Sequence, residues 1–247
     1  MITRRSLLAT GLALLGARVD AAELGRIVPP AVYDEPQFAQ PAATAILAGG
    51  CFWGVQAVYQ RTEGVLGAVS GYAGGDKWDA KYGLVSSGKT NHAEAVQITY
   101  DPATISYGKL LEIFFSVVHD PTQLNRQGPD VGRQYRSAIF PLGSEQARIA
   151  RAYISQIDRA DVFSSSLVTT VEENRSFYPA EEYHQDYLVK NPRQPYILVH
   201  DMPKLAEFKR LYPEFWREKP VLVGAPRRLG RLGDGSAAFY RGLPGSN

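Results

Sequence analysis

Two hydrophobic periods alternate along this chain, and the points where they switch predict its elements. Thr44-Ala45-Ile46-Leu47-Ala48 is a short apolar run closed by Gly49-Gly50, the pattern of a buried strand. From Cys51 to Arg61 the apolar residues Phe52, Val55, Val58 and Tyr59 recur at helical spacing. Val65 to Tyr72 reads as a second strand, and His92 to Tyr100 alternates as a third. Ser106 can cap a helix whose Leu110, Ile113, Phe114 and Val117 form one stripe. A polar loop from His119 to Arg133 precedes a strand at Arg136–Leu142. Ser144 can cap a further helix with Ala150, Tyr153, Ile154 and Ile157 on one face. Leu167–Val171 reads as a last strand, and helices around 179–189 and 203–215 close the pattern. Strands and helices mix without strict alternation, which predicts an α+β two-layer domain over residues 43–217.

The flanks break the pattern. Residues 1–21 open with Arg4-Arg5, continue uncharged from Ser6 to Ala17, and end in Val19-Asp20-Ala21. This reads as a cleaved export signal of the twin-arginine kind, which implies a periplasmic location. The uncharged run falls short of the roughly 20 residues that span a bilayer. A short anchoring helix is the alternative. Residues 22–42 are rich in Pro and Ala and read as a loose leader. Residues 218–247, rich in Gly, Pro and Arg, read as a flexible tail.

Charge narrows the function classes. The whole chain carries a formal +2, and removing Arg4, Arg5, Arg18 and Asp20 with the signal brings it to balance. That argues against nucleic acid as a partner. Apolar residues at 45% suffice for a packed core, and the 14 Tyr outnumber the 10 Phe. The tyrosines make polar, phenol-lined pockets plausible. No phosphate-binding glycine loop and no metal-ligand spacing occurs.

The chain has one cysteine, in Gly49-Gly50-Cys51-Phe52-Trp53-Gly54. No internal disulfide can form, and an unpaired thiol in an exported protein favours a reactive role. Cys51 falls where a strand hands over to a helix. Unpaired amide N–H groups and the helix dipole there favour an anion, and the thiolate is the nucleophile. A small buried hydrophobe is the competing reading. If 92–100 is a strand, Glu94 shares a face with Val96, Ile98 and Tyr100. An apolar face would raise its pKa and make it a proton donor, unless it reaches solvent at the strand end. Tyr82 and Tyr135 could donate hydrogen bonds to a substrate oxygen, or simply pack half-buried. His119 and His184 read as structural hydrogen-bonding residues.

Six blocks, in order, carry a resemblance. They are Gly50-Cys51-Phe52-Trp53-Gly54, Gly71-Tyr72-Ala73-Gly74-Gly75, Thr90-Asn91-His92-Ala93-Glu94, His119 through Gly132, Gln134-Tyr135-Arg136-Ser137, and Tyr178 through Gln185. Between about Ala45 and Leu188 the chain resembles the A-type peptide methionine sulfoxide reductases. The resemblance implies a two-layer ferredoxin-like sandwich with a mixed sheet. It implies reduction of the S epimer of methionine sulfoxide, free or in oxidised proteins. Cys51 would attack sulfur, Glu94 would protonate the oxygen, and Tyr82 and Tyr135 would polarise it. Phe52 and Trp53 would hold the substrate methyl group, and Asp130 would order the hydrogen bonds. No bound cofactor is implied.

Two departures follow. Many relatives resolve the sulfenic acid with C-terminal cysteines, and this chain has none. An external thiol is therefore expected as partner: a thioredoxin-like protein, glutaredoxin with glutathione, or dithiothreitol in vitro. Asp79-Ala80-Lys81-Tyr82 stands where the family has Asn-Pro-x-Tyr. The expected assembly is a monomer without a stable membrane span. A one-cysteine thiol peroxidase would want Arg and Thr or Ser beside the thiol, and Cys51 has Gly, Phe and Trp. A non-catalytic binder of oxidised methionine would have no use for Cys51 and Glu94 together.

Overall fold

A computed structural model describes residues 25–35 and 42–224. The first apolar run forms β1 (Ala43–Gly49), followed by α1 (Phe52–Gln60), β2 (Val65–Ala73), the short α2 (Tyr82–Val85) and β3 (Ala93–Tyr100). Next come α3 (Tyr107–Ile113), running on through a wide turn at Phe114–Val118, and the small ribbon of β4 (Arg126–Gln127) and β5 (Asp130–Val131). The strand β6 (Ser137–Ile139) leads to α4 (Ser144–Arg159), β7 (Thr170–Val171), β8 (Phe177–Pro179), α5 (Tyr187–Lys190) and α6 (Met202–Leu211).

The main sheet has the order β7-β6-β1-β3-β2-β8. All its pairs are antiparallel except β6 with β7, so the sheet is mixed. Its four central strands with α1 and α3 make the ferredoxin-like pattern of two interleaved β-α-β units. Strand parity sorts the side chains. Ala45, Leu47, Val96, Ile98 and Tyr100 join the large core under the helices. Ile46, Ala48, Ala93 and Ala95 face the other side, where small residues and Phe140 form a thin second cluster.

Ser106 caps α3, accepting from the Lys109 N–H at 3.1 Å. Ser144 is instead the first residue of its helix, with Gly143 at the cap. The strands expected at Arg136–Leu142 and Leu167–Val171 pair only over 137–139 and 170–171. The helix expected at 179–189 breaks at Asp186, whose φ is 58°. The reason is a buried network: Gln185 Nε2 donates to the carbonyls of Ser70 and Ala180, and Asp186 N–H donates to Gln56 Oε1. Those bonds take the place of a helical ladder.

The leader is not loose over 25–35. Val28 is fully buried, and Arg26 and Val28 donate their N–H groups to Ser116. Tyr153 donates to the Pro29 carbonyl at 2.7 Å. Asp34 accepts from the Gly108 N–H and Glu35 from the Tyr107 N–H, both at the start of α3. One buried valine and two acids at a helix start explain the attachment. Of the tail, Val221 donates to the Gln60 carbonyl and Val223 to Asp186. The expected signal at 1–21 and the tail beyond Gly224 lie outside the described residues. Among the described residues, no helix is long and apolar enough to cross a membrane.

Candidate active site

The glycines around the thiol are matters of space. Gly50 has φ +91°, and a Cβ there would lie 2.6 Å from the Gln127 side chain. A Cβ on Gly49 would lie 2.9 Å from the Phe114 ring. The polar loop and α3 thus close directly onto the backbone that presents Cys51. Gly54, three residues on, has its own neighbour: a Cβ there would collide with Asp201 Oδ1 and lie 3.2 Å from Lys204 Nζ.

Cys51 occupies the cap position of α1 with no side-chain cap bond, and only 8% of its surface is exposed. The expected stabilisation of a thiolate at the helix start is outweighed. Burial pushes the thiol well above its ordinary range, Glu94 and Asp201 push further when ionised, and the Trp53 N–H opposes them only in part. The resting sulfur is a neutral thiol.

Glu94 comes from β3 on the helix-facing side, as strand parity predicts, and is 3% exposed. Its Oε2 accepts the Phe52 N–H at 3.0 Å, one residue from the thiol. Burial holds its pKa up to about 8, against the lowering effect of that N–H bond, and the Asp130 charge adds to the rise. At neutral pH the carboxyl keeps its proton. It does not reach bulk solvent.

Tyr82 opens α2 and Tyr135 closes a tight turn at Arg133–Tyr135; both are half-buried. Each phenol is raised first by burial, and then by charges that include Glu94 and Cys51. Both hydroxyls therefore stay protonated, and both tyrosines feel the charges of the same two groups, Glu94 and Cys51. The Tyr82 N–H donates to Glu181 Oε1 at 2.9 Å, and its ring lies 4.4 Å from that of His184.

The two aromatics after the thiol separate in role. Phe52 is buried, 5.0 Å from the His184 ring and 5.9 Å from Tyr72. Trp53 is half-buried, stacked on Tyr187 at 3.8 Å and 8°, with Tyr196 edge-on at 6.0 Å. Its indole N–H donates to His184 Nδ1 at 3.3 Å. Asp130 is half-buried and accepts the Tyr196 hydroxyl. His119 is neutral, its pKa driven down to about 3 by burial. It donates to the Phe114 carbonyl and accepts from Ser137 Oγ, a structural role as expected.

Three residues near the thiol escaped sequence reasoning. Tyr196 follows Pro195 and opens the short run Tyr196-Ile197-Leu198-Val199, too brief to show a period, and the charge of Cys51 is among the causes that raise its phenol. Asp201 is fully buried and Lys204 nearly so, 3.5 Å apart. Their spacing in sequence resembles any surface i,i+3 pair, so only the fold reveals their depth. Among the described residues no group of His, Cys, Asp or Glu is arranged to hold a metal ion.

Comparisons with known proteins place the chain in a family. The family model described as "Peptide methionine sulfoxide reductase" matches residues 43–215. A "Peptide methionine sulfoxide reductase MsrA 2" of Mesorhizobium japonicum is 57% identical over 180 residues, covering 73% of this chain and 92% of that protein. A protein of the same name from Synechocystis is 47% identical over 207 residues, covering 83% and 97%. Among solved structures, reduced Mxr1 of Saccharomyces cerevisiae superposes with a TM-score of 0.56 at 34% identity, covering 64% of this chain and 91% of that one. Methionine sulfoxide reductase A of Corynebacterium diphtheriae gives 0.52 at 30% identity, covering 71% and 91%. The thiol, the neutral carboxyl and the phenols that converge on one helix start belong to a chain of the peptide methionine sulfoxide reductase family.

Proposed function

We propose that this protein reduces methionine S-sulfoxide, free or in oxidised proteins, to methionine. The observation that carries the reading is Glu94: a buried carboxyl with a pKa near 8, bonded to the N–H of the residue after the thiol. A sulfoxide is a poor electrophile until its oxygen is protonated. A carboxylic acid that keeps its proton at pH 7 can supply it.

In this reading the sulfoxide oxygen sits among Glu94, Tyr82 and Tyr135, and the S-methyl group rests against Phe52 and Trp53. Asp130 fixes Tyr196 at the rim. Fixed slots for methyl and oxygen accept one hand of the sulfoxide. Cys51 sulfur loses its proton and attacks the sulfoxide sulfur. Glu94 gives its proton to the oxygen, the thiol proton supplies the second, and water leaves as the S–S bond forms. Water then attacks Cys51 Sγ and the S–S bond breaks. Methionine departs, Cys51 is left as a sulfenic acid, and Glu94 regains a proton. Cys51 is oxidised by two electrons and the sulfoxide sulfur is reduced by two.

With one cysteine in the chain, recycling falls to an external thiol. One thiol condenses with the sulfenic acid to a mixed disulfide and water; a second releases Cys51 as thiol. A thioredoxin-like protein, glutaredoxin with glutathione, or dithiothreitol fits this step, and no bound cofactor is needed. The Arg4-Arg5 segment supports export to the periplasm, and the N-terminus of the mature protein in fractionated cells tests it.

Turnover of the separate S and R epimers with dithiothreitol tests the activity. The wild type consumes the S epimer, and Cys51→Ser consumes neither. Without reductant, intact mass should show Cys51 one oxygen heavier. Peroxide turnover without sulfoxide turnover, or a disulfide dimer in place of the sulfenic acid, would overturn the reading.

A further inference from the structure

Among the described residues, Asp201 is the one fully buried carboxylate against the thiol-bearing helix to which the reaction assigns no step. It closes the wide turn Ile197–Asp201 that leads into α6, and its Oδ1 presses on Gly54. Positions three apart on a helix have Cβ atoms about 5–6 Å apart. The contact at Gly54 therefore sets the carboxylate within reach of Cys51 on the same turn. Lys204 Nζ holds Oδ1 at 3.5 Å, a long ion pair, and Oδ2 has no hydrogen-bond partner. A buried carboxylate oxygen without a partner is costly to maintain. Glycine at 54 is what makes room for it.

The titratable groups that act on Cys51 are the acids Glu94 on β3, Asp130 on β5 and Asp201 before α6, with the neutral phenols Tyr82, Tyr135 and Tyr196 nearby. Glu94 is mostly neutral at pH 7. Burial raises the pKa of Asp201 itself; Lys204 and His200 on its own segment oppose the rise, and Asp130 across the site adds to it.

We propose that Asp201 is a positioning residue for the thiol: ionised by its pairing with Lys204 and wedged against Gly54, it adds to burial in holding Cys51 in the neutral, peroxide-resistant form while the site is empty. The electropositive sulfur of a bound sulfoxide supplies the compensation that an empty site lacks. The device suits a chain with one cysteine. A resting thiolate would attack peroxide oxygen, break the O–O bond, release hydroxide and become a sulfenic acid. A second peroxide would carry it to sulfinic acid, beyond rescue by ordinary thiols.

The inference rests on Cys51 being the reacting thiol, yet its test uses no sulfoxide, so the two readings fail separately. The rate of carbamidomethylation of Cys51 by iodoacetamide is measured against pH for wild type, Asp201→Asn and the charge-neutral Asp201→Asn/Lys204→Met. The single variant leaves Lys204 unpaired beside the site and should shift the midpoint furthest down. A shift of one pH unit means about tenfold faster alkylation near pH 7. The double variant, which avoids an unpaired buried cation if the single one folds poorly, should shift in the same direction by less. Hydrogen peroxide should oxidise both variants faster than wild type, as read by intact mass. A folded variant with an unmoved midpoint would make Asp201 merely structural and overturn the proposal, as would a midpoint that rises.

Discussion

The two inner helices of the sandwich begin in opposite ways. At α3 the free N–H groups meet three side chains: Ser106 takes Lys109, Asp34 takes Gly108 and Glu35 takes Tyr107. At α1 no side chain caps the helix locally; a thiol stands there, and a carboxyl from β3 takes the Phe52 N–H. The backbone electrostatics of the two starts are alike. Their surroundings differ. The start of α3 lies at the rim under a strap of chain, where side chains can spend their bonds on stability. The start of α1 lies under the loop of β4 and β5, against buried acids, where burial outweighs the dipole and keeps both thiol and Glu94 protonated. A helix N-terminus is thus no guarantee of an anion; depth decides.

The largest break in that comparison comes from Glu94→Gln. Removing the acid should lower kcat by about 10²–10⁴. In the wild type kcat should fall as pH rises through about 8, where Glu94 loses its proton. That alkaline limb should vanish in the variant, as a pH–rate profile with methionine sulfoxide would read. The same substitution should change stability with the opposite sign. A carboxyl raised in the folded state stabilises fully below its unfolded pKa of about 4.3, and that contribution drains away up to the folded value near 8. Glu94→Gln should therefore gain on wild type in urea midpoint between pH 5 and 8, then hold level. A constant difference across that range would mean Glu94 is already ionised at rest.

Tyr135→Phe should come next. One phenol among three donors to the oxygen, as proposed, should be worth about 10²-fold in kcat with little change in KM. Tyr82→Phe should act in the same direction, and the double variant should lose less than the product, because both bond to one atom. A loss confined to KM would place these hydroxyls outside the reaction.

Much of this was legible in the sequence, for identifiable reasons. The run from β1 to α3 shows clean periods, because each strand and helix buries one face against the other layer. Glu94 could be placed from strand parity alone, since Val96 and Ile98 fix the face. What stayed hidden depends on chain far away. Asp201 and Tyr196 reach the thiol only once α1 and the turn before α6 pack together. The depth that overrides the helix dipole at Cys51 comes from Gln127 and its loop, over seventy positions downstream. The strap at 25–35 was lost to its composition: Pro and Ala carry no period, and a single buried Val28 gives no pattern.

That strap yields the smallest expected effect and the cleanest contrast. Asp34→Ala removes an acceptor from the Gly108 N–H and from Ser106 Oγ at the start of α3. Loss of a helix cap costs about 0.5–2 kcal/mol. The group is partly buried, so the bonds lost are only partly replaced by water. The variant should unfold at lower urea with an unchanged slope, while kcat, KM and the alkylation midpoint of Cys51 stay at wild-type values. If Asp34→Ala instead moves the Cys51 midpoint, the two helix starts are coupled through the core, and burial at α1 is not set locally by β3 and the β4–β5 loop.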